Sequence, residues 1–262
     1  RSATSNRPKA LNALNRQLVG ELTEAVEETA ISETVRGLVR TGSAEERADN
    51  FARSLACEGS GGVAGVPNQL NVLRETGQSA VFFVDPMPAL LWGTGAVEDV
   101  VGPILDAGQE VQLHLHTEWL QWAGTNHPLA SRRIGQNLFD FPFEEQLQLI
   151  DYARGQLMAA GAPAPCAFRA GNYAANDDTL RALAQLGFAY DTSHCPALFG
   201  SASQISLGPD AREPIPHCGV IEVPVASIAK PGGGQRHGQI TALSFAEMRA
   251  ALGMAELDDL EP

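Results

Sequence analysis

The chain has 262 residues, 44% hydrophobic and 19% charged, the composition of a folded chain with room for one large domain or two small ones. Acidic residues outnumber basic ones 31 to 18, a net charge of −13, which excludes a general binder of nucleic acid or anionic membrane, because phosphate binding draws on a Lys/Arg surplus. No apolar run reaches the roughly 18 residues that a membrane-spanning helix needs, so membrane insertion is not expected.

The chain starts at Arg1 and shows no apolar signal core, so we expect either a removed leader or a fragment. Leu11, Leu14, Leu18, Leu22 and Val26 recur at helical spacing, and Val35–Arg40 reads as a short strand. A polar stretch, Ala44–Asn50, marks a compositional boundary, which sets residues 1–45 apart from 46–262. A glycine-rich turn follows at Gly59–Gly65. A βα rhythm then appears, with strands at Ala80–Val84, Glu110–His116, Ala167–Arg169, Phe188–Asp191 and Val220–Val225. The helices between and around them are Pro67–Glu75, Val97–Ala107, Phe143–Ala160, Asp177–Leu186 and Ser244–Leu252. The last carries a capping box of Ser244 and Glu247. This alternation predicts an α/β fold with a parallel sheet or a βα barrel. Cys57, Cys166, Cys195 and Cys218 form no C-x-x-C pair, so we expect buried free thiols and a cytoplasmic setting.

In such folds chemistry collects at the C-terminal ends of strands, and several strands here run into polar residues. The sharpest case is Gln112–Trp119. His114 and His116 lie two apart and share a strand face, and Glu118 joins them if the strand continues. Two imidazoles and a carboxylate are a common set for zinc or another divalent metal; plain hydrogen bonding to neighbours is the alternative. Arg169 at its strand end is costly to bury unpaired, so it is read as orienting a carboxylate, holding an anion or closing a structural ion pair. Asn172 and Tyr173 are candidate sugar contacts, or a turn before the next helix; Trp119 joins them as a candidate substrate contact. Asp191 is a candidate catalytic carboxylate that pairs with Arg169 or accepts from loop hydroxyls, and equally fits a plain turn. His127, His194, His217 and His237 are read as surface residues, and Gly232–Gly234 as flexible. The acidic end Glu256–Glu261 reads as a solvated tail.

Over about residues 50–250 these motifs resemble the polysaccharide deacetylase (NodB-homology carbohydrate esterase) family. The carrying segments are AVFFVDP, Gly108–Val111, His114–Trp119, Phe168–Tyr173 and Phe188–Ser193, in the family's order. The HLHxEW form is similar to members tied to lipopolysaccharide or capsule synthesis. The resemblance implies a distorted, here incomplete, (β/α) barrel and removal of N-acetyl groups from a carbohydrate substrate. It also implies a divalent metal, usually zinc, held by an Asp and two His, with a second Asp as base tethered by an Arg and a late His as acid. Carried over, His114 is the first metal histidine and His116 substitutes for the second, whose usual position is Glu118. Arg169 matches the tethering Arg.

Two family elements have no counterpart: the strand ending in paired Asp residues, and the late L-x-L-H motif. Asp85 and Glu222 are possible carboxylates outside the motif. An inactive relative that binds metal or glycan without turnover is therefore the alternative. Residues 1–43, with NRPKALNAL, resemble the start of an enoyl-CoA hydratase (crotonase) chain, but the oxyanion-hole segment that should follow is missing. An acyl-CoA protein is the third reading. We expect a crotonase-like start joined to a deacetylase body, with Val35–Val39 standing where the first strand belongs.

Overall fold

The computed structural model describes residues 44–59, 62–123, 127–129, 135–229, 233–239, 243, 244 and 247. The expected opening helix and strand, most of the last helix and the acidic tail lie outside the described residues. The described residues up to Val225 belong to one compact unit, and those from Ala226 onward to another.

The stretch expected to be merely polar is helix α1 (Ala44–Asn50), which widens into a π-turn at Phe51–Leu55. The glycine-rich turn is a small hairpin of β1 (Glu58–Gly59) and β2 (Gly62–Val63). Then come α2 (Val66–Thr76), β3 (Val81–Val84), α3 (Ala89–Trp92), α4 (Gly95–Asp106), β4 (Glu110–Leu115), α5 (Phe143–Ala159), β5 (Ala167–Ala170), α6 (Asp177–Gln185), β6 (Tyr190–Asp191), β7 (Ile215–His217) and β8 (Val220–Glu222). In the second unit β9 (Ser227–Ala229) and β10 (Gln235–His237) form a hairpin, and Ser244 and Glu247 make the expected reciprocal capping bonds.

The sheet of six runs β3-β4-β5-β6-β8-β7. The first five in that order are parallel, and β7 is antiparallel to β8. The fold is thus α/β around a mostly parallel sheet. Among the described residues the sheet is open, with β3 and β7 at its ends, so the expected barrel is not closed by them. No described helix is long and apolar enough to cross a membrane.

Helix periodicity explains the packing. In α4, Val97, Val101 and Ile104 are buried at steps of four and three; in α5, Gln146, Leu149, Ile150, Ala153 and Leu157 are. These stripes share one core with Leu113, Leu115, Phe168 and Ala170 of the sheet. Asn176 caps α6: its side chain accepts from the Thr179 N–H at 3.0 Å, and Thr179 Oγ1 accepts from the Asn176 N–H at 3.1 Å.

Register then sorts the polar residues. Leu113 pairs with Phe168, Phe168 with Asp191, and Asp191 with Glu222. Residues in register point to the same face, so Asp191 and Glu222 belong to the helix-covered core face. His114 pairs with Arg169 one step along, on the other face.

Candidate functional site

The site builds on that second face, at the C-terminal edge of the parallel strands. His114 Nδ1 donates to the Arg169 carbonyl at 2.6 Å. Burial, helped by the neighbouring His116, lowers the His114 pKa to about 4 against the opposing pull of that hydrogen bond. The ring is therefore neutral at pH 7. With the proton on Nδ1, its Nε2 lone pair is available. His116 stands beside it, ring centroids 4.8 Å apart and nearly perpendicular. Its Nδ1 lies 3.2 Å from Glu118 Oε2, and Asn172 Nδ2 donates to Glu118 Oε1 at 3.3 Å.

The turn that delivers Asn172 has no sequence signal of its own. Asn172 and Tyr173 both take left-handed backbone, φ 58° and 57°, a conformation that is costly for tyrosine. Gly171 is required there because a Cβ would sit 2.7 Å from His116 Nδ1 and 2.8 Å from the Leu115 carbonyl. Burial raises the Tyr173 hydroxyl pKa.

Asp85, one residue past β3, is the carboxylate this face adds. Burial pushes its pKa up to about 7. The Met87 N–H (3.0 Å to Oδ1), the His116 charge and N–H, and the Trp119 side chain pull the other way. Trp119 also packs on Trp92 and Trp122, with centroids 5.7 and 5.1 Å away. Asp85, His114 and Trp119 line one end of a cavity of about 340 Å³ whose other walls include Phe83, Trp92 and Ile104.

The remaining expected residues sort as follows. Arg169 lies over the Phe83 ring, 4.5 Å from its centroid, and donates to Thr192 Oγ1 at 3.4 Å; its buried Nε has no partner. It makes no ion pair with Asp191. Strand alternation puts the two on opposite faces, so of the two alternatives for Asp191 it is acceptance from a loop hydroxyl that is seen. Asp191 instead accepts from the Ser193 N–H at 3.0 Å and hydroxyl at 2.8 Å, beside Glu222. His194, expected at the surface, is fully buried, with Nε2 3.2 Å from the Gly208 carbonyl. All four thiols are free, but Cys57 and Cys166 are exposed rather than buried.

Does this face suit the divalent cation that the sequence resemblance implies? A histidine whose Nδ1–H is held by a backbone carbonyl is the usual arrangement for a ligand through Nε2, and the donor set of imidazoles and carboxylates fits. His114, His116 and Glu118 nevertheless do not bring ligand atoms within 4.8 Å of one another; among the described residues only Asp177, His217 and Cys218 do so as a set of three.

Fold and site together define an α/β protein with a histidine–carboxylate cluster at the C-terminal edge of its sheet. No family model and no curated protein matches the chain. Among solved structures it is similar to one from Mycobacterium smegmatis described as a polysaccharide deacetylase (18% identity, TM-score 0.45, 74% of this chain and 58% of that one). It is also similar to a family 4 carbohydrate esterase from Streptomyces lividans in complex with acetate (17%, 0.36, 55% and 71%). A third is a mutant peptidoglycan deacetylase from Bacillus subtilis (18%, 0.32, 53% and 50%). The chain thus spans between half and about seven tenths of the solved chains it matches.

Proposed function

We propose that this chain is a metal-dependent hydrolase that removes N-acetyl groups from a sugar or polysaccharide, with the activity carried by residues 46–262. The structural likenesses are too distant to carry that reading. The observation that carries it is the gathering of His114, His116, Glu118 and Asn172 at one edge of the sheet, from segments in the motif order of polysaccharide deacetylases, joined there by Asp85, a carboxylate outside that motif. In this reading the crotonase-like residues 1–45 take no part.

His114 through Nε2, His116 and Glu118 would hold the cation, zinc being the metal that the donor set suits. A divalent ion there supplies Lewis-acid polarisation of the acetamide carbonyl. Asp85, buried beside the cluster, is the group to accept a proton from the attacking water. Arg169 keeps a buried N–H unpaired and supplies positive charge for a developing oxyanion. Asn172, Tyr173 and Trp119 are the residues to contact the sugar.

The second reading is a relative that binds metal or glycan without turnover. The contacts of Arg169 favour it: the guanidinium meets Phe83 and Thr192 rather than a carboxylate base. One experiment separates the two. The full chain is loaded with zinc, assayed for metal content and for acetate released from N-acetylglucosamine oligomers, and compared with His114→Ala. Zinc binding with acetate release in the wild type, and in the variant the loss of both acetate release and one zinc per chain, is the expected result. The same loss of one zinc in the variant, with no acetate released by the wild type, leaves the binding-only reading. Unchanged zinc in His114→Ala overturns the ligand assignment.

A further inference from the structure

Away from that face a second cluster joins three segments. Asp177 is the first residue of α6, His217 ends β7, and Cys218 begins the two-residue turn into β8. Their ligand atoms lie within 4.8 Å of one another. His217 Nε2 is already 3.1 Å from Asp177 Oδ1. Ser206 holds the carboxylate from the other side, donating its N–H to Oδ1 at 2.9 Å and its hydroxyl to Oδ2 at 2.7 Å. The hydroxyl also lies 3.3 Å from His217 Nε2.

The turn is fixed in place by packing. Cys218 and Gly219 have φ of 48° and 94°, the left-handed pair of a tight hairpin. Asparagine or glycine normally opens such a turn, and here cysteine does. A Cβ on Gly219 would come 2.8 Å from the Ala184 Cβ, so the hairpin is pressed directly onto α6. That contact is near the C-terminal end of α6, and Cys218 itself lies by Asp177 at the helix's first residue. The nearby Arg181 is neutralised by Asp178, 2.6 Å away. His217 and Asp177 keep 22% and 25% of their side-chain surface exposed, so an ion can enter from solvent.

We propose that Asp177, His217 and Cys218 form a three-ligand site for a zinc-type transition-metal dication, which cross-links the β7–β8 hairpin to α6. Thiolate, imidazole and carboxylate together form a borderline-soft set that suits zinc or cobalt; magnesium and calcium require oxygen ligands throughout. Tetrahedral geometry asks for donors roughly 3.3–3.7 Å apart. The His217–Asp177 separation is already near that, and the thiol, within 4.8 Å of both, has at most about an ångström to close. Ser206 is the outer partner that orients the ligating carboxylate. On binding, the Cys218 thiol proton leaves to solvent and the His217 proton moves to Nδ1, which frees Nε2 for the metal. Two ligand charges then balance the dication, and the fourth position is open to water. The site shares no residue with the proposed catalytic face.

Cobalt(II) is the probe, because a thiolate–cobalt bond gives a near-ultraviolet charge-transfer band that the sulfur-free catalytic face cannot produce. The full chain, reduced and under inert gas, is titrated with cobalt chloride. The expected result is a stoichiometric thiolate–cobalt band in the wild type and in His114→Ala. The band disappears in Cys218→Ser, and cobalt binding weakens more than about tenfold in His217→Ala. Circular dichroism of the metal-free variants shows whether they fold; in addition, Cys218→His, which replaces sulfur with nitrogen, keeps cobalt but loses the band. No thiolate band in the wild type overturns the proposal, as does a band that persists in Cys218→Ser.

Discussion

Glu222 and Asp191 sit in register on neighbouring parallel strands with their carboxyls side by side, both fully excluded from water. Asp191 accepts two hydrogen bonds from Ser193, and Glu222 Oε1 accepts the His194 N–H at 2.9 Å. Glu222 Oε2 meets no N–H or hydroxyl donor, only the Asp191 carboxyl. Two adjacent buried anions are untenable, so one proton lies between them, on Glu222. Burial first, then the Asp191 charge, pushes the Glu222 pKa from its ordinary 4.5 up to about 11.

The consequence for stability has a definite sign. A carboxyl whose folded pKa is raised keeps its proton when folded and loses it when unfolded. Its contribution is fully present below the unfolded value of 4.5 and is lost as pH rises through the raised folded value. Glutamine mimics the protonated form, with oxygen toward His194 and N–H toward Asp191. Glu222→Gln is therefore expected to flatten the decline. Thermal unfolding at pH 5 and pH 9 checks this: the variant gains on the wild type at pH 9 relative to pH 5. An equal fall in Tm for both proteins would show that the pair does not hold a proton.

Gly171 is the place where backbone, rather than a side chain, makes room for the cluster. A methyl group there meets His116 Nδ1 and the Leu115 carbonyl, both under 3.0 Å away. Gly171→Ala is expected to displace the imidazole from Glu118 and to cost about 1–3 kcal/mol in stability. Zinc content and chemical denaturation, measured together, check both halves. Full zinc retention would mean that His116 is not needed for the metal.

The strand order of polar residues was legible because parallel strands read as apolar runs that end abruptly. AVFFVD and EVQLHLH declare both the strand and the group at its tip, and α5 and α6 declare themselves by periodicity. What a run of letters does not carry is the row in which each residue falls. Whether Asp191 shares the face of Arg169 depends on the β5–β6 register, which no spacing within either strand fixes. The same holds for β7, a three-residue strand containing Pro216, and for His217, whose partner lies 40 residues away on α6. Asp85 is visible as a strand-end carboxyl, but its burial, which raises its pKa against the opposing pull of Met87, His116 and Trp119, depends on how the chain closes over it. The helix at Ala44–Asn50 was missed because polar sequence suggests loop.

Phe168 stands at the centre of the helix-covered face of the sheet. It is fully buried in the middle of the sheet, paired with Leu113 on one side and Asp191 on the other, with its ring edge-on to Phe188 at 6.4 Å. Phe168→Ala removes a fully buried ring and leaves a cavity in the core, and is expected to cost about 3–5 kcal/mol. Denaturant unfolding checks this as a lower midpoint at unchanged slope. A loss below about 1 kcal/mol would mean that the core around β5 is looser than its burial implies.

Arg169 offers the sharpest separation of structure from function. Its charge is half-buried without a carboxylate, so the energy of desolvation is not recovered by an ion pair. What it does gain is the contact with the Phe83 ring, worth about 0.5–2 kcal/mol, and one long hydrogen bond to Thr192. Arg169→Met keeps the apolar stem on Phe83 and removes the charge. Stability is therefore expected to change by less than about 1 kcal/mol in either direction. If Arg169 supplies charge to a developing oxyanion, the same variant loses about 10²–10³ in kcat for acetate release while zinc content stays constant. A large fall in Tm with kcat unchanged would assign Arg169 to the scaffold and take it out of the reaction.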